Sequence, residues 1–377
     1  MCYFSGIIYF PHMRLPLLIS FSRAILVFLC GLFAAITPAG AQDTQNAQNT
    51  PAPVITAPTG IQILTSGTHT SLRGLSAVSD QVVWVSGSSG QVGKSVDGGQ
   101  TWTWITVPGY EKRDFRDIEA FDDKKAVIMA IAEPAVILKT TDGGIIWRKV
   151  YENTTPGMFL DAMEFWNVNS GIVVGDPING RFFIARSFDG GDNWQDIPFK
   201  ELPLADSAEG CFATSGTNVR NLDRDEACFV SGGPLRSRLF IRDKAIELPL
   251  ARGKASTGAN SIAIKDHDKL NGGQHLIVSG GDFAKDTAQE NNCYLSNDGG
   301  KTWIRPTTPP HGYRGCVEYI GGNNVLSCGT SGVDLSHDNG MNWELISSAS
   351  FHVCRIAKKG KTVYLAGAGG KVAKLVL

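Results

Sequence analysis

The octapeptide Ser95-Val96-Asp97-Gly98-Gly99-Gln100-Thr101-Trp102 recurs, nearly intact, four more times along this chain of 377 residues. The further copies end at Trp147, Trp194, Trp303 and Trp343, with their acids at Asp142, Asp189, Asp298 and Asp338. Each reads as a tight turn between two strands. The Asp carboxylate can accept backbone N–H bonds within the turn, and Gly takes the positive φ that a β-carbon resists. Trp then opens the next strand as an apolar wedge. One such octapeptide would say little, but five at near-regular spacing define a repeat architecture.

Successive Trp residues stand 45, 47, 109 and 40 residues apart. The long interval is about two periods, so one unit has lost its signature turn. The segments Cys228–Gly233, Arg238–Asp243 and Ile246–Leu250 fill it. After the last octapeptide, Val363–Gly367 and Lys371–Leu375 supply inner strands of another unit but no outer one. Ile61-Gln62-Ile63-Leu64-Thr65 matches the missing outer strand, so the N-terminal strand is expected to complete the C-terminal blade. That closes a ring and removes an open edge. The expectation is an all-β, seven-bladed β-propeller over residues 60–377.

Ahead of it, Ala24–Ile36 is an apolar run of 13 residues preceded by Arg14 and Arg23 and followed by Ala39-Gly40-Ala41. The run is short for a membrane span, and the small residues fit a signal-peptidase site. Residues 1–41 therefore read as a signal peptide and 42–59, rich in Gln, Asn, Thr and Pro, as a polar tether. The expected location is secreted or periplasmic, with no membrane insertion after leader cleavage. The composition agrees with a strand-and-turn protein, with 43 Gly and 42% hydrophobic residues. A net charge of −1 argues against nucleic acid as a partner.

The octapeptides resemble the Asp-boxes, or BNR repeats, of sialidase-like propellers. From Gly60 to Leu377 the chain is similar to the photosystem II stability/assembly factor family. The resemblance implies a propeller working outside the cytoplasm or in the thylakoid lumen, partnered by a membrane-protein precursor or an exported protein. The lipid-anchoring Cys common among bacterial members of that family is missing here.

Strand polarity puts the octapeptide turns on one face, where Asp97, Asp142, Asp189, Asp298 and Asp338 are expected to be structural. The other face is the one open to chemistry. Aligning the starts of the seven innermost strands gives a column of Arg73, Arg116, Leu160, Glu209, Asn260, Arg314 and His352. In a closed ring these positions converge on the mouth of the central channel. Three Arg and a His would seat a carboxylate, phosphate or sulfate. Asp117 and Asp161 would offset them, and Glu133, Asp176 and Asp282 would rim the same face. The function expected is therefore a non-catalytic binding or assembly module, monomeric, for a protein, an anionic small molecule or a glycan.

The competing expectation is a glycosidase, sialidase-like or built on an Asp pair, with Asp117 and Asp161 as candidate catalytic acids. The sialidase Arg-Ile-Pro segment is absent. No cofactor is expected, because Gly367-Ala368-Gly369-Gly370 sits in a strand-to-strand turn rather than before a helix. No metal site is expected either, since the His residues show no ligand spacing. Six Cys follow the leader, at 211, 228, 293, 316, 328 and 354. Cys316 and Cys328 lie on adjacent strands of one hairpin, so a disulfide and buried free thiols remain alternatives.

Overall fold

The computed structural model describes residues 60–223, 225–266 and 272–377; the leader and the tether read from the sequence lie outside the described residues. Seven antiparallel sheets follow one another along the chain. Blade one comprises Leu72–Ala77, Val83–Gly87, Gln91–Ser95 and Thr103–Thr106. Blades two and three begin at Phe115–Ala120 and Leu160–Phe165, and blade four at Val219–Asp223. Blades five, six and seven begin at Thr257–Ile264, Cys316–Gly321 and Val353–Ile356. These inner strands touch their neighbours all the way round, blade seven against blade one, so the ring is closed. The fold is a seven-bladed β-propeller, as the repeat spacing requires.

Closure uses the strand expected for it. Gly60–Thr65 pairs antiparallel with the last strand, Val372–Val376, from Gly60 opposite Val376 to Thr65 opposite Val372. Blade five is the exception to four full strands. Its outer strand shrinks to a single bridge between Leu295 and Ile304.

All five octapeptide turns share one hydrogen-bond pattern. Ser95 Oγ donates to Asp97 Oδ1 at 2.8 Å, Gly99 N donates to Ser95 Oγ at 2.9 Å, and Thr101 N donates to Asp97 Oδ1 at 2.9 Å. Thr140, Ser187, Ser296 and Ser336 repeat the first of these bonds at 2.8–3.0 Å. Donation from Thr101 holds the Asp97 carboxyl down at about 2, so it stays ionised and bonded. The glycines after each acid have positive φ, for example Gly98 at 73° and Gly99 at 85°. The Trp at the end of each turn lies at a blade junction. Trp343 packs on Ala263, Ile277 and Leu295 of blade five and Val317 and Val325 of blade six. The hydrophobic core is thus a set of clusters between neighbouring blades rather than one central mass.

Candidate functional site

One departure from the repeat shapes the centre of the ring. Gly210 pairs with Gly232, where the innermost strand of blade four should begin. The chain then leaves the blade for residues 211–218 and returns as Val219–Asp223. The excursion is held from several sides of the channel. Arg73 and Arg116 donate to the carbonyls of Thr214 and Ala213 at 3.2 and 2.9 Å. The Ser215 hydroxyl donates to Gly315 O at 2.7 Å, and Arg355 donates to Gly216 O at 3.3 Å. Ile262 N donates to Thr217 O at 3.0 Å. Contacts with blades one, two, five, six and seven place this segment across the channel as a plug.

Glycine is required twice for the plug to fit. Gly216 has φ of 67°, and a Cβ there would sit 2.3 Å from Asp117 Oδ2. A Cβ on Gly315 would sit 2.5 Å from the Thr214 methyl.

The plug divides the channel into two cavities. The upper one, of about 400 Å³, opens on the face opposite the octapeptide turns and is lined by Arg73, Arg116, Asp161, Asp176, His352 and the plug itself. Phe159, Phe212, Phe283, Tyr313 and Phe351 supply its apolar wall. Phe283 stands edge-on to both Phe212 and Tyr313, with ring centroids 5.9 and 6.4 Å apart. The lower cavity, of about 680 Å³, is lined by Asp117, Glu119, Glu164, Arg220, Glu318, Arg355 and Lys358 among others. Its charges largely satisfy each other, since Arg220 bonds both Glu164 and Glu318, and Lys358 bonds Glu119.

Arg73 and Arg116 are the charged pair of the upper cavity. They bond consecutive plug carbonyls and lie close enough to repel each other. Burial, and then repulsion from Arg116, lowers the Arg73 pKa. Arg116 is paired with Asp114 at 2.7 Å, whereas among the described residues no carboxylate lies within ion-pair distance of Arg73. His352 is beside them but brings no charge at neutral pH. Burial, with Arg73 nearby, pushes it down to about 4, and its Nδ1 lies 2.9 Å from Leu72 O.

Two expected members of the mouth lie elsewhere. Arg314 is fully buried, with Nε 2.5 Å from Asp334 Oδ2 and Nη1 bonded to Tyr313 O and Ser331 Oγ. Its carboxylate partner is also fully buried and takes up His311 Nδ1 at 2.6 Å. Glu209 accepts from Arg238, from the Ser231 hydroxyl and from Asp206 N, which ties it into blade four. Its displacement follows from the plug. The innermost strand of that blade starts after residue 218, so aligning Ala208–Cys211 with the other strand starts sets Glu209 out of the column.

The remaining residues fall around the site. Asn260 is buried beneath the cavity and accepts from Tyr313 and Thr214 hydroxyls at 2.7 and 3.1 Å. Asp282 accepts from the Ser256 hydroxyl and Lys254 beside Phe283. Glu133 accepts from Gly157 N on the exposed rim. Asp117 and Asp161 are not brought to a common cavity. Asp161 lines the upper one, while Asp117 lies beneath the plug, bonded to Ile118 N and Met163 N. Burial pushes both above the ordinary carboxyl range. Neither Asp334 nor the plug was signalled by the column. A charged residue within the otherwise apolar strand Gly332–Ser336, where blade one has Gly93 and blade two Leu138, was the available sign of the first.

Asp161 gives a pH-dependent prediction. Its side chain is fully buried, no hydrogen bond to either oxygen meets ordinary geometry, and burial first, then the Asp176 charge, raise its pKa. A folded-state pKa above the unfolded value of about 3.9 stabilises the fold only in acid, and the contribution is lost as pH rises through the folded value. Asp161→Asn removes that loss. Urea midpoints of the two proteins should be close at pH 4 and separate towards pH 8, with the variant the more stable. A gap that does not change with pH would contradict this account.

These features define a closed propeller with an arginine-paired, plugged mouth. No protein-family model matches the chain. Over 218 residues it is 26% identical to vacuolar protein sorting/targeting protein 10 of Talaromyces stipitatus, covering 50% of this chain and 14% of that protein. A second such protein, from Talaromyces marneffei, is 29% identical over 146 residues, 37% of this chain and 9% of its own length. Among solved structures, YCF48 bound to D1 peptide is similar with a TM-score of 0.58 and 17% identity, covering 87% of this chain and 99% of that one. YCF48 from Cyanidioschyzon merolae (TM-score 0.58, 16% identity, 84% and 98% covered) and the RRP9 WD40 repeats (0.59, 12%, 84% and 97%) are also similar. At these identities the likeness establishes the fold.

Proposed function

We propose that this chain is a non-catalytic binding module that takes a carboxylate-bearing polypeptide segment into the upper cavity. The observation that carries the reading is Arg73, a guanidinium outside any ion pair among the described residues, held near Arg116 at a cavity with an aromatic wall. Two adjacent guanidinium groups match the two oxygens of a carboxylate, and desolvation by the aromatic wall strengthens the bonds. The plug closes the floor, which suits a side chain or a chain end better than a segment threaded through the ring. A peptide ligand is also what the similar YCF48 structure carries. Our reading includes export through the 1–41 leader, an exported or membrane-protein partner, octapeptides of the Asp-box type and kinship with the photosystem II assembly factors.

Fluorescent decapeptides with a free C-terminus, with an amidated C-terminus, and with an internal Asp or Glu provide the test. Arg73→Ala and Arg116→Ala should each weaken binding of the carboxylate peptides by about 10- to 100-fold, since a charge-assisted bond contributes roughly 1.5–3 kcal/mol. Equal affinity for peptides with and without a carboxylate would exclude this use of the cavity.

A further inference from the structure

Three thiols from two blades meet in the core between blades six and seven, outside both cavities. Cys316 and Cys328 stand opposite each other on adjacent strands of blade six, and Cys354 comes from the innermost strand of blade seven. All three are fully buried, and their Sγ atoms lie within 4.8 Å of one another. Cys316 Sγ is 3.6 Å from Cys354 Sγ, across the blade junction. Among the described residues no other group of His, Cys, Asp or Glu has ligand atoms so placed.

We propose that Cys316, Cys328 and Cys354 form a three-coordinate thiolate site for a soft monovalent cation, copper(I). An ion about 2.3 Å from each of three coplanar sulfur atoms holds them about 4.0 Å apart, so the observed triangle needs little adjustment. Zinc requires a fourth ligand, which no side chain among the described residues offers, whereas soft thiolate sets favour copper(I). A disulfide would use two of the sulfurs and leave the third without a role. It would also have to choose between the hairpin partner Cys328 and Cys354 of the next blade. Leu72, Leu326, Phe351 and Leu365 belong to the same apolar cluster and keep water from the site.

Each ligating thiol gives up a proton as the metal binds, so the site gains negative charge. Full burial means that the ion enters while blades six and seven are apart, during folding or by local opening. Sequence spacing concealed the set, since its members lie on three strands and match no metal-binding motif.

The full chain, reduced and free of oxygen, would be incubated with copper(I)–acetonitrile both as the native protein and during refolding. It would then be challenged with bathocuproine disulfonate. The expected result is one copper retained per chain, with X-ray absorption showing three sulfur neighbours at about 2.3 Å. Cys328→Ala and Cys354→Ala should each retain less than about a tenth as much, and Cys293→Ala as much as the parent chain. Loss of all copper to the chelator after both treatments would overturn the proposal. So would a shell of fewer than three sulfurs, or full retention by Cys328→Ala. If a variant fails to fold, the absorption spectrum of the parent chain decides alone.

Discussion

Arg314→Ala lowers the unfolding free energy by about 3–5 kcal/mol, because it leaves the fully buried Asp334 carboxylate without its counter-charge. His311 also bonds that carboxylate, but it is partly exposed and its ring replaces neither the guanidinium Nε bond nor the contacts to Tyr313 O and Ser331 Oγ. The exchange of both partners for apolar residues of similar size, Arg314→Met with Asp334→Leu, should recover much of the loss, since a buried ion pair gains little over good packing. Denaturant unfolding of the two variants measures the difference. This separates Arg314 from Arg73 and Arg116, whose replacement should cost ligand affinity first and stability second. An Arg314→Ala protein as stable as the parent would mean that Asp334 finds another partner or becomes protonated.

A chain beginning at Ser66, without the strand Gly60–Thr65, should fail to persist as a folded monomer. The final strand Val372–Val376 would lose its outer partner, and Ile61 and Leu64 would leave the cluster they pack on. Leu64 lies against Gly99 of blade one, so the strand joins the two ends of the ring as well as completing a sheet. At roughly 0.5–1.5 kcal/mol per ladder hydrogen bond and about 1–2 for each half-buried aliphatic chain, the loss reaches about 5 kcal/mol, the lower end of natural domain stability. The open edge also invites pairing between chains. Size-exclusion chromatography and thermal melting should show aggregation or a transition lowered by about 7 °C or more, about what 5 kcal/mol produces in a chain this long. Adding a peptide of residues 58–66 should restore the monomer. A truncated chain that melts within 2–3 °C of the parent, about 1 kcal/mol, would show that closure lies elsewhere.

The mouth was only partly legible in the sequence. Arg73 and Arg116 reach the cavity because their blades keep the regular strand start, so the alignment placed them at the channel. Glu209 and Arg314 fail for different local reasons. Glu209 precedes an inserted segment whose small polar run, Thr214-Ser215-Gly216-Thr217-Asn218, gives no periodic signal of its own. Arg314 is at the aligned position, but its side chain turns into the blade because a carboxylate waits there on a strand 20 residues later.

Repetition is what let the sequence by itself determine the architecture. Five turns opened by Asp and closed by Trp are local interactions, readable within eight residues, and their spacing counts the blades. The strand left over at one end and missing at the other required the ring to close. The tertiary structure alone decided what fills the channel, which acids face which cavity, and which of the two arginines of the upper cavity has an ion-pair partner among the described residues. Those depend on contacts between blades 100 residues or more apart, such as Arg73 with Thr214, and on side-chain directions that no local pattern encodes. The meeting of Cys316, Cys328 and Cys354 belongs to the same class, because the packing of two blades makes it rather than any spacing along the chain.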